Sequence, residues 1–318
     1  MKVWNENDNL KLEGIEIGSR EYWIPIIAGY LTDIVCEYMR TNGFHRMNLP
    51  TLNESFVKKD CNIPVKYLEN DYELSTSCAL KLGGIVPLYD KVYSCTPSIR
   101  NEKRRDLSHL MEFTLIEAEW QIHDCNELLR FIEKMFIYVI EKYNDYISSN
   151  QLLDIFERCE FNGDIKKVEY SDVPDILRKK GITVKGEELG VFFDNALSQF
   201  IDEPVIVMHY PCKGSWRAKH RDDNSAYIYN LILPNGYGEL FEFTVRETNP
   251  EYFKNKFKIA GLEKEYKWYI SLLKKNNSLH GGFGLGIERF CSYLVKTNDI
   301  GETQLFERKP IVNDKEEK

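Results

Sequence analysis

TPSIRNEKRRDLSHLMEFTLIEAEW, residues 96–120, sets three arginines (Arg100, Arg104 and Arg105) and a lysine among five carboxylates, in a chain whose net charge is −8. Side chains alternate across a strand with period two, so on an extended segment Ser98, Arg100 and Glu102 share one face. KRRDLS is a polar connection, and HLMEFTLIEAEW reads as the returning strand, carrying His109 and Phe113. The segment is expected to be an antiparallel hairpin with a basic tip. Two uses fit it. Its charges can simply face water, as on most surfaces. They can also cradle a phosphate joined to a purine, with Arg100 on the phosphate, Phe113 against the base and Glu102 accepting from its amino group.

Outward from this hairpin, residues 21–42 place Ile24, Ile27, Leu31, Ile34, Val35, Tyr38 and Met39 at helical spacing, and Gly43 ends that helix. FHRMNL follows as a short strand stopped by Pro50. From there to residue 120 the chain reads as mainly antiparallel strand, with one helical interruption near 77–84. CNELLRFIEKMFIYVIEKYNDYI (125–147) is a long amphipathic helix, and residues 150–200 are expected to be a helical insertion with a strand at KKVEY. Strands return at EPVIVMHY, SAYIYNLIL and GELFEFTVRE. Helices at 250–259 and 262–275 precede HGGFGLGIERFCSYL, a glycine-rich strand entering a helix. Locally paired strands with helices gathered outside them indicate an α+β fold on an antiparallel sheet, with residues 1–318 as a single domain. The regular strand–helix alternation of a doubly wound parallel fold is missing.

The acidic balance, with a pI near 5.5, argues against a broad sequence-independent nucleic-acid surface, which needs a basic face. The eight cysteines are scattered, with no CxxC and no histidine at zinc spacing. They read as reduced, mostly buried thiols of a cytoplasmic protein. The longest apolar run, YWIPIIAGYL, is too short to span a bilayer, and the polar N-terminal stretch is not a signal peptide.

Two further stretches carry chemistry. In GGFGLGIERF, glycines 281, 282, 284 and 286 permit close approach of a ligand or a neighbouring strand, and the helix starting near Ile287 aims its positive end there, with Arg289 in its first turn. A dinucleotide-binding βαβ unit would carry such glycines early, and here they come near the C-terminus. In NLILPNGYGELFEFTVRE, Glu239 is a candidate ligand for a divalent metal and Arg246 a candidate clamp for a carboxylate. A plain strand pair with an exposed PNGYG turn fits that stretch equally well.

In their order along the chain, the proline after the first helix and strand, R-x-E…H-x-x-EF, and G-x-G-x-G-x-ER resemble the three signature motifs of class II aminoacyl-tRNA synthetases. The resemblance is closer to the catalytic domain of the aspartyl and asparaginyl branch, and closest to the stand-alone archaeal-type asparagine synthetases, which share LILPxGYGE. It runs from about residue 20 to 310, and the roughly 20 residues before it are too few for an anticodon-binding OB barrel. The resemblance implies a class II catalytic-domain fold in which ATP and a carboxylic acid give an acyl-adenylate, and a nucleophile then takes the acyl group.

Residue by residue, it implies that Arg100 and Arg289 are catalytic. Arg100 would hold the α-phosphate, Glu102 and Phe113 the adenine, and His109 and Arg289 the outer phosphates, with Gly286 beside the nucleotide. Glu239 would bind magnesium together with Asn230, which stands where the family has an aspartate. Lys81 and Arg246 would meet the side-chain carboxylate of an aspartate-like substrate, with Thr76 and Gly284 lining its pocket. The sequence departs from the family at Ser108, where a loop arginine is expected and Arg104 or Arg105 takes its place. It departs again at Cys78, where relatives carry glutamine. Glu242, Phe243 and Thr244 put bulk and a negative charge where relatives are small and glycine-rich.

The implied reaction transfers an activated acidic amino acid to ammonia or a small amine. Transfer to another amine or to tRNA, or a non-catalytic sensor of ATP or an aminoacyl-adenylate, are the alternatives. The expected assembly is a homodimer through residues 21–42 and FHRMNLP, because the stripe Ile24, Ile27, Leu31 and Ile34 needs a partner. Neither a membrane nor nucleic acid is expected as a partner.

Overall fold

A computed structural model describes residues 12, 14–53, 61–104, 106–161, 163–182, 190–213, 216–276 and 278–309. The hairpin is there: β5 (Lys91–Ile99) pairs antiparallel with β6 (Glu112–Gln121), in register from Lys91 opposite Trp120 to Ile99 opposite Glu112. Around it lie β1 (His45–Arg46), β7 (Lys166–Glu169), β8 (Val205–Met208), β9 (Ile228–Leu233), β10 (Gly238–Val245) and β11 (His280–Gly286). They form one eight-stranded sheet in the order β1-β5-β6-β11-β10-β9-β8-β7, antiparallel except at its two edge pairs, β1 with β5 and β7 with β8. A smaller three-stranded sheet holds β2 (Leu52–Asn53), β4 (Asn70–Leu74) and β3 (Pro64–Tyr67). The expected α+β architecture, an antiparallel sheet flanked by helices, is the one observed.

Period two divides the large sheet. Ile116, Ala118 and Trp120 of β6, Phe283 and Leu285 of β11, Phe241, Phe243 and Val245 of β10, and Leu231 and Leu233 of β9 all enter one core. Three helices close that core: α1 (Arg20–Thr41), α3 (Cys125–Ser149) and α8 (Ile287–Val295). Ser19 starts α1 by accepting from the Tyr22 N–H, and Asp124 starts α3 by accepting from the N–H groups of Asn126 and Glu127. The apolar stripe of α1 faces inward. Ile24, Ile27 and Leu31 are fully buried within this one chain, so the stripe gives no argument for a second subunit.

Other boundaries also move. The helix expected near 77–84 is α2 (Ala79–Tyr89), which continues until Asp90 leaves the helical region at φ 64°. Only His45 and Arg46 of FHRMNL pair as strand, and SAYIYNLIL is continuous strand only over β9, with isolated bridges from Ser225 to Pro211 and from Ala226 to His220. The expected insertion contributes two short helices, α4 (Val173–Lys179) and α5 (Val191–Ser198), and its KKVEY strand is β7, an edge of the main sheet. Val173, Leu177, Phe193 and Leu197 pack on Val205, Val207, Ile228 and Ile232, forming a second core over the face of the sheet opposite the first. Helices α4 and α5 are therefore a wall of the sheet. Past β10 come α6 (Pro250–Ala260), begun by the Asn249 side chain and ended by Gly261 at φ 69°, and α7 (Lys267–Lys275). All eight cysteines are free, four buried and four half-buried.

Candidate active site

On the face away from the first core, β11 presents Gly282, Gly284 and Gly286. A Cβ on Gly282 would collide with the Ala118 carbonyl oxygen and the Glu119 carboxylate, so that position must be glycine. The register sets two rows across this trough. Glu117, Gly284, Glu242 and Asn230 are successive neighbours, and so are Glu119, Gly282, Thr244 and Ile228. Carboxylates thus stand on both sides of a glycine floor.

At one end is the hairpin tip. β5 stops at Ile99, so Arg100 and Glu102 lie in the loop and not on one strand face as expected. The Arg100 N–H donates to the Met111 carbonyl at 2.8 Å, and its guanidinium lies 4.9 Å from the centroid of the Phe113 ring. Arg100 and Phe113 are brought together, but the ring is covered on one face by the arginine instead of open to a base. Glu102 turns back on its own loop, accepting from the N–H groups of Lys103 and Arg104 at 2.9 and 2.8 Å and from the Arg104 guanidinium at 3.1 Å. Burial pushes its pKa up, but the bonds and charge of Arg104 outweigh this and hold it below the usual carboxylate range. Glu102 and Arg104 therefore pair with each other; Arg105 lies outside the described residues. His109 Nδ1 is 2.6 Å from Asp106 Oδ1, and Asp106 is held down to about 2 because the His109 and Ser108 bonds outweigh its burial.

Arg289, half-buried in the first turn of α8, donates to the carbonyls of Tyr237 (2.8 Å) and Ser108 (3.0 Å). It ties the PNGYG turn to the hairpin loop. Burial pulls its pKa down, and the nearby Glu239 carboxylate pushes it back up. Gly286 is the residue that caps α8. Glu239 is held up at about 8, first by burial and then by the neighbouring carboxylates of Glu242 and Asp194.

Asn230 joins two of these carboxylates. Its Nδ2 donates to Asp194 Oδ2 at 3.0 Å and to Glu239 Oε2 at 3.1 Å, while its Oδ1 is buried without a partner. Asp194 comes from α5 and accepts from the Tyr210 hydroxyl at 2.5 Å. Burial raises it to about 6 against the pull of those two bonds. Among the described residues no three His, Cys, Asp or Glu side chains form a metal-holding group. The donor set still fits a magnesium ion shared with phosphates, since that ion takes few protein carboxylates and Asn230 Oδ1 is an unused buried acceptor.

At the far end of the trough, Arg246 is spoken for. Its Nε donates to Glu119 Oε1 at 2.9 Å and its Nη2 lies 2.7 Å from the same oxygen, with both side chains almost wholly buried. Arg217 Nη2 approaches that carboxylate to 3.7 Å. Thr244 Oγ1 and His280 Nε2, buried and without partners, border the same end of the trough. Lys81 donates to Asn53 Oδ1, so the two cations expected on one substrate carboxylate have different partners. Thr76 is buried, its carbonyl accepting from Ser98 Oγ at 2.8 Å. Gly284 has room for a Cβ, which would lie 3.9 Å from Glu117 Cγ. Glu117 accepts from Ser77 Oγ and the Cys78 N–H, both at 2.5 Å, so the carboxylate closes the N-terminus of α2 at Cys78. Its pKa is raised, by burial above all.

Phe243 overturns one expectation. It is fully buried in the core, stacked on Tyr229 with centroids 5.2 Å apart, and takes no room from the trough. Only Glu242 and Thr244 face it. The sequence reading also missed Glu119, Arg217 and Asp194. Glu119 was within reach, since it lies at even spacing from Phe113 on one strand. Arg217 and Asp194 come from a loop and a helix whose placement no local pattern reveals.

An antiparallel sheet with this hairpin, glycine strand and following helix is the catalytic core type of class II synthetases. The profile of the tRNA synthetases class II (D, K and N) matches residues 26–310, and the chain belongs to that family. It is 29% identical over 283 residues to the asparagine–tRNA ligase of Pyrococcus furiosus, covering 86% of this chain but 65% of that protein. It is 28% identical over 299 residues to the asparagine–tRNA ligase of Lactobacillus johnsonii, covering 91% of this chain and 69% of that protein. Asparaginyl-tRNA synthetase from Pyrococcus horikoshii, solved with asparaginyl-adenylate, superimposes with a TM-score of 0.83 at 27% identity, over 92% of this chain and 69% of that one. Among the described residues no helix is long and apolar enough to cross a membrane.

Proposed function

We propose that the glycine-floored face activates an amino acid with ATP, giving an aminoacyl-adenylate and pyrophosphate. The observation that carries this is the Arg100–Phe113 stack at the hairpin tip, with Arg289 tied to the same hairpin loop through the Ser108 carbonyl. A carboxylate oxygen of the amino acid attacks the α-phosphorus, and the bond to the pyrophosphate oxygen breaks. Arg100 offsets the charge that builds on the phosphorus oxygens, and Arg289 holds the leaving phosphates. For the base to stack on Phe113, either Arg100 moves off the ring or the base takes the ring's other face. Glu239 and Asn230 are the residues to hold the nucleotide's magnesium, which when bound neutralises phosphate charge.

The amino acid is read as aspartate or a close analogue. Arg246 and Arg217 against Glu119 leave one positive charge at the far end of the trough, which suits a side-chain carboxylate. A second reading, asparagine, is favoured by the adenylate bound in the P. horikoshii relative. The acceptor is read as ammonia or a small amine. The expectation that nucleic acid plays no part finds no support, because the relatives are tRNA ligases; tRNA is therefore the second acceptor reading.

Exchange of labelled pyrophosphate into ATP, run with aspartate, asparagine and glutamate, tests both levels. Exchange stimulated by aspartate alone is the expected result, and stimulation by asparagine alone selects the second reading. ATP binding without exchange would leave a non-catalytic sensor. Arg100→Ala should slow exchange by about 10²–10³-fold while amino-acid binding changes little.

A further inference from the structure

Asn230 sits where two carboxylates meet, and its contacts fix which way the amide points. The nitrogen faces Asp194 Oδ2 and Glu239 Oε2, and with both carboxylates ionised, as a bound cation requires, the oxygen would be repelled by both. Both amide protons are then used, and Oδ1 is the one polar atom of the side chain left over. Asn230 is 4% exposed, so water does not satisfy that oxygen easily, and no protein donor reaches it. Asp194 arrives from α5, in the 150–200 segment, and not from the sheet. One of its oxygens accepts from the Tyr210 hydroxyl and the other from Asn230, and at 3% exposure it has little room for a ligand of its own.

We propose that Asp194 is a positioning residue for the cation that accompanies the nucleotide: it holds the Asn230 amide so that Oδ1 joins Glu239 as an oxygen ligand, and it supplies from behind the negative charge that an asparagine cannot. This rests on the ATP reading above. The chain Tyr210–Asp194–Asn230 does for an amide ligand what a hydrogen-bonded carboxylate does for a metal-bound histidine, fixing its orientation and raising its electron density. The segment that builds a wall of the sheet thereby also completes its cation site.

The test uses the full chain with a non-hydrolysable ATP analogue, and Mn²⁺ followed by electron paramagnetic resonance as the probe. Asp194→Asn keeps the shape of the side chain and should weaken Mn²⁺ binding in the nucleotide complex about ten- to a hundredfold. In an Asn230→Asp background, where a carboxylate needs no amide to be turned, the same change should cost little. Tyr210→Phe deletes only the hydroxyl and should show the same dependence on residue 230, which keeps the test open should Asp194→Asn unfold. Unchanged Mn²⁺ affinity in Asp194→Asn, with the nucleotide still bound, would overturn the proposal. So would an equal loss in both backgrounds, since Asp194 would then be acting on the fold and not through Asn230. A wild-type chain that binds no nucleotide at all would remove the ATP reading, and this inference with it.

Discussion

The two ends of the trough bury similar groups and treat them in opposite ways. Around Glu119, a carboxylate is bracketed by two guanidiniums, and the pairing with Glu119 outweighs the burial of Arg246, raising its pKa. Around Asn230, two carboxylates share one neutral amide, and both Asp194 and Glu239 are pushed well above the usual carboxylate range. Burial alone does not separate the ends, because it opposes the charged form in both. The partner does. At one end guanidiniums of the chain answer a carboxylate with one positive charge to spare, whereas at the other two carboxylates meet on a single neutral amide.

The comparison breaks most visibly at Arg246. Arg246→Met keeps most of the packing but leaves Glu119 buried with only the more distant Arg217, and should destabilise the fold by about 3–5 kcal/mol in urea unfolding. A variant as stable as wild type would mean that the pair is not what holds that end together.

The carboxylate end makes a prediction about pH. Asp194 and Glu239 have folded-state pKa values of about 6 and about 8, above their unfolded values, so the folded chain holds more protons than the unfolded one between them. Their contribution to stability is complete below the unfolded values and is lost as pH rises through the folded ones. The metal-free protein should therefore lose stability between about pH 4 and 8. Urea midpoints at pH 5 and pH 8 should differ less in Glu239→Gln than in wild type. A wild-type midpoint that rises across this window, with no change in the variant, would contradict the assignment.

The smallest effect belongs to Glu242, exposed on the floor between the two ends. Glu242→Gly should strengthen binding of an acidic amino acid by no more than about fivefold, the worth of an exposed charge contact, and leave a neutral analogue unaffected. Calorimetric titration of aspartate and asparagine checks it. An equal gain for both would point to space, not charge, as what Glu242 controls.

The hairpin at 96–120, the glycine strand and the helix after it could be read from alternation and helical spacing, since these patterns record which face of an element is buried. Arg100 near Phe113 and Arg289 at the start of α8 were legible for the same reason, whereas Asn230 beside Glu239 was suggested only by the family resemblance. The reading failed where a face had to be assigned at a distance. Phe243 looked like an obstruction in the pocket, yet period two from Glu242 puts it in the core. The stripe on α1 looked like an interface, yet α3 and α8 cover it. Glu102 and Lys81, expected at the ligands, pair here with Arg104 and Asn53, contacts that no local pattern announced.

Local periodicity and turn chemistry act over a few residues, so the class of fold and the run of chemical groups along each strand were already written in the amino-acid order. Which of those groups meet was left to the tertiary structure. Glu119 and Arg246 are 127 positions apart, and Asp194 and Asn230 are 36 apart. No local preference selects such pairs. They are set by sheet order and by the packing of α5 against β9 and β10, and a buried charge takes its pKa from whichever partner that packing brings.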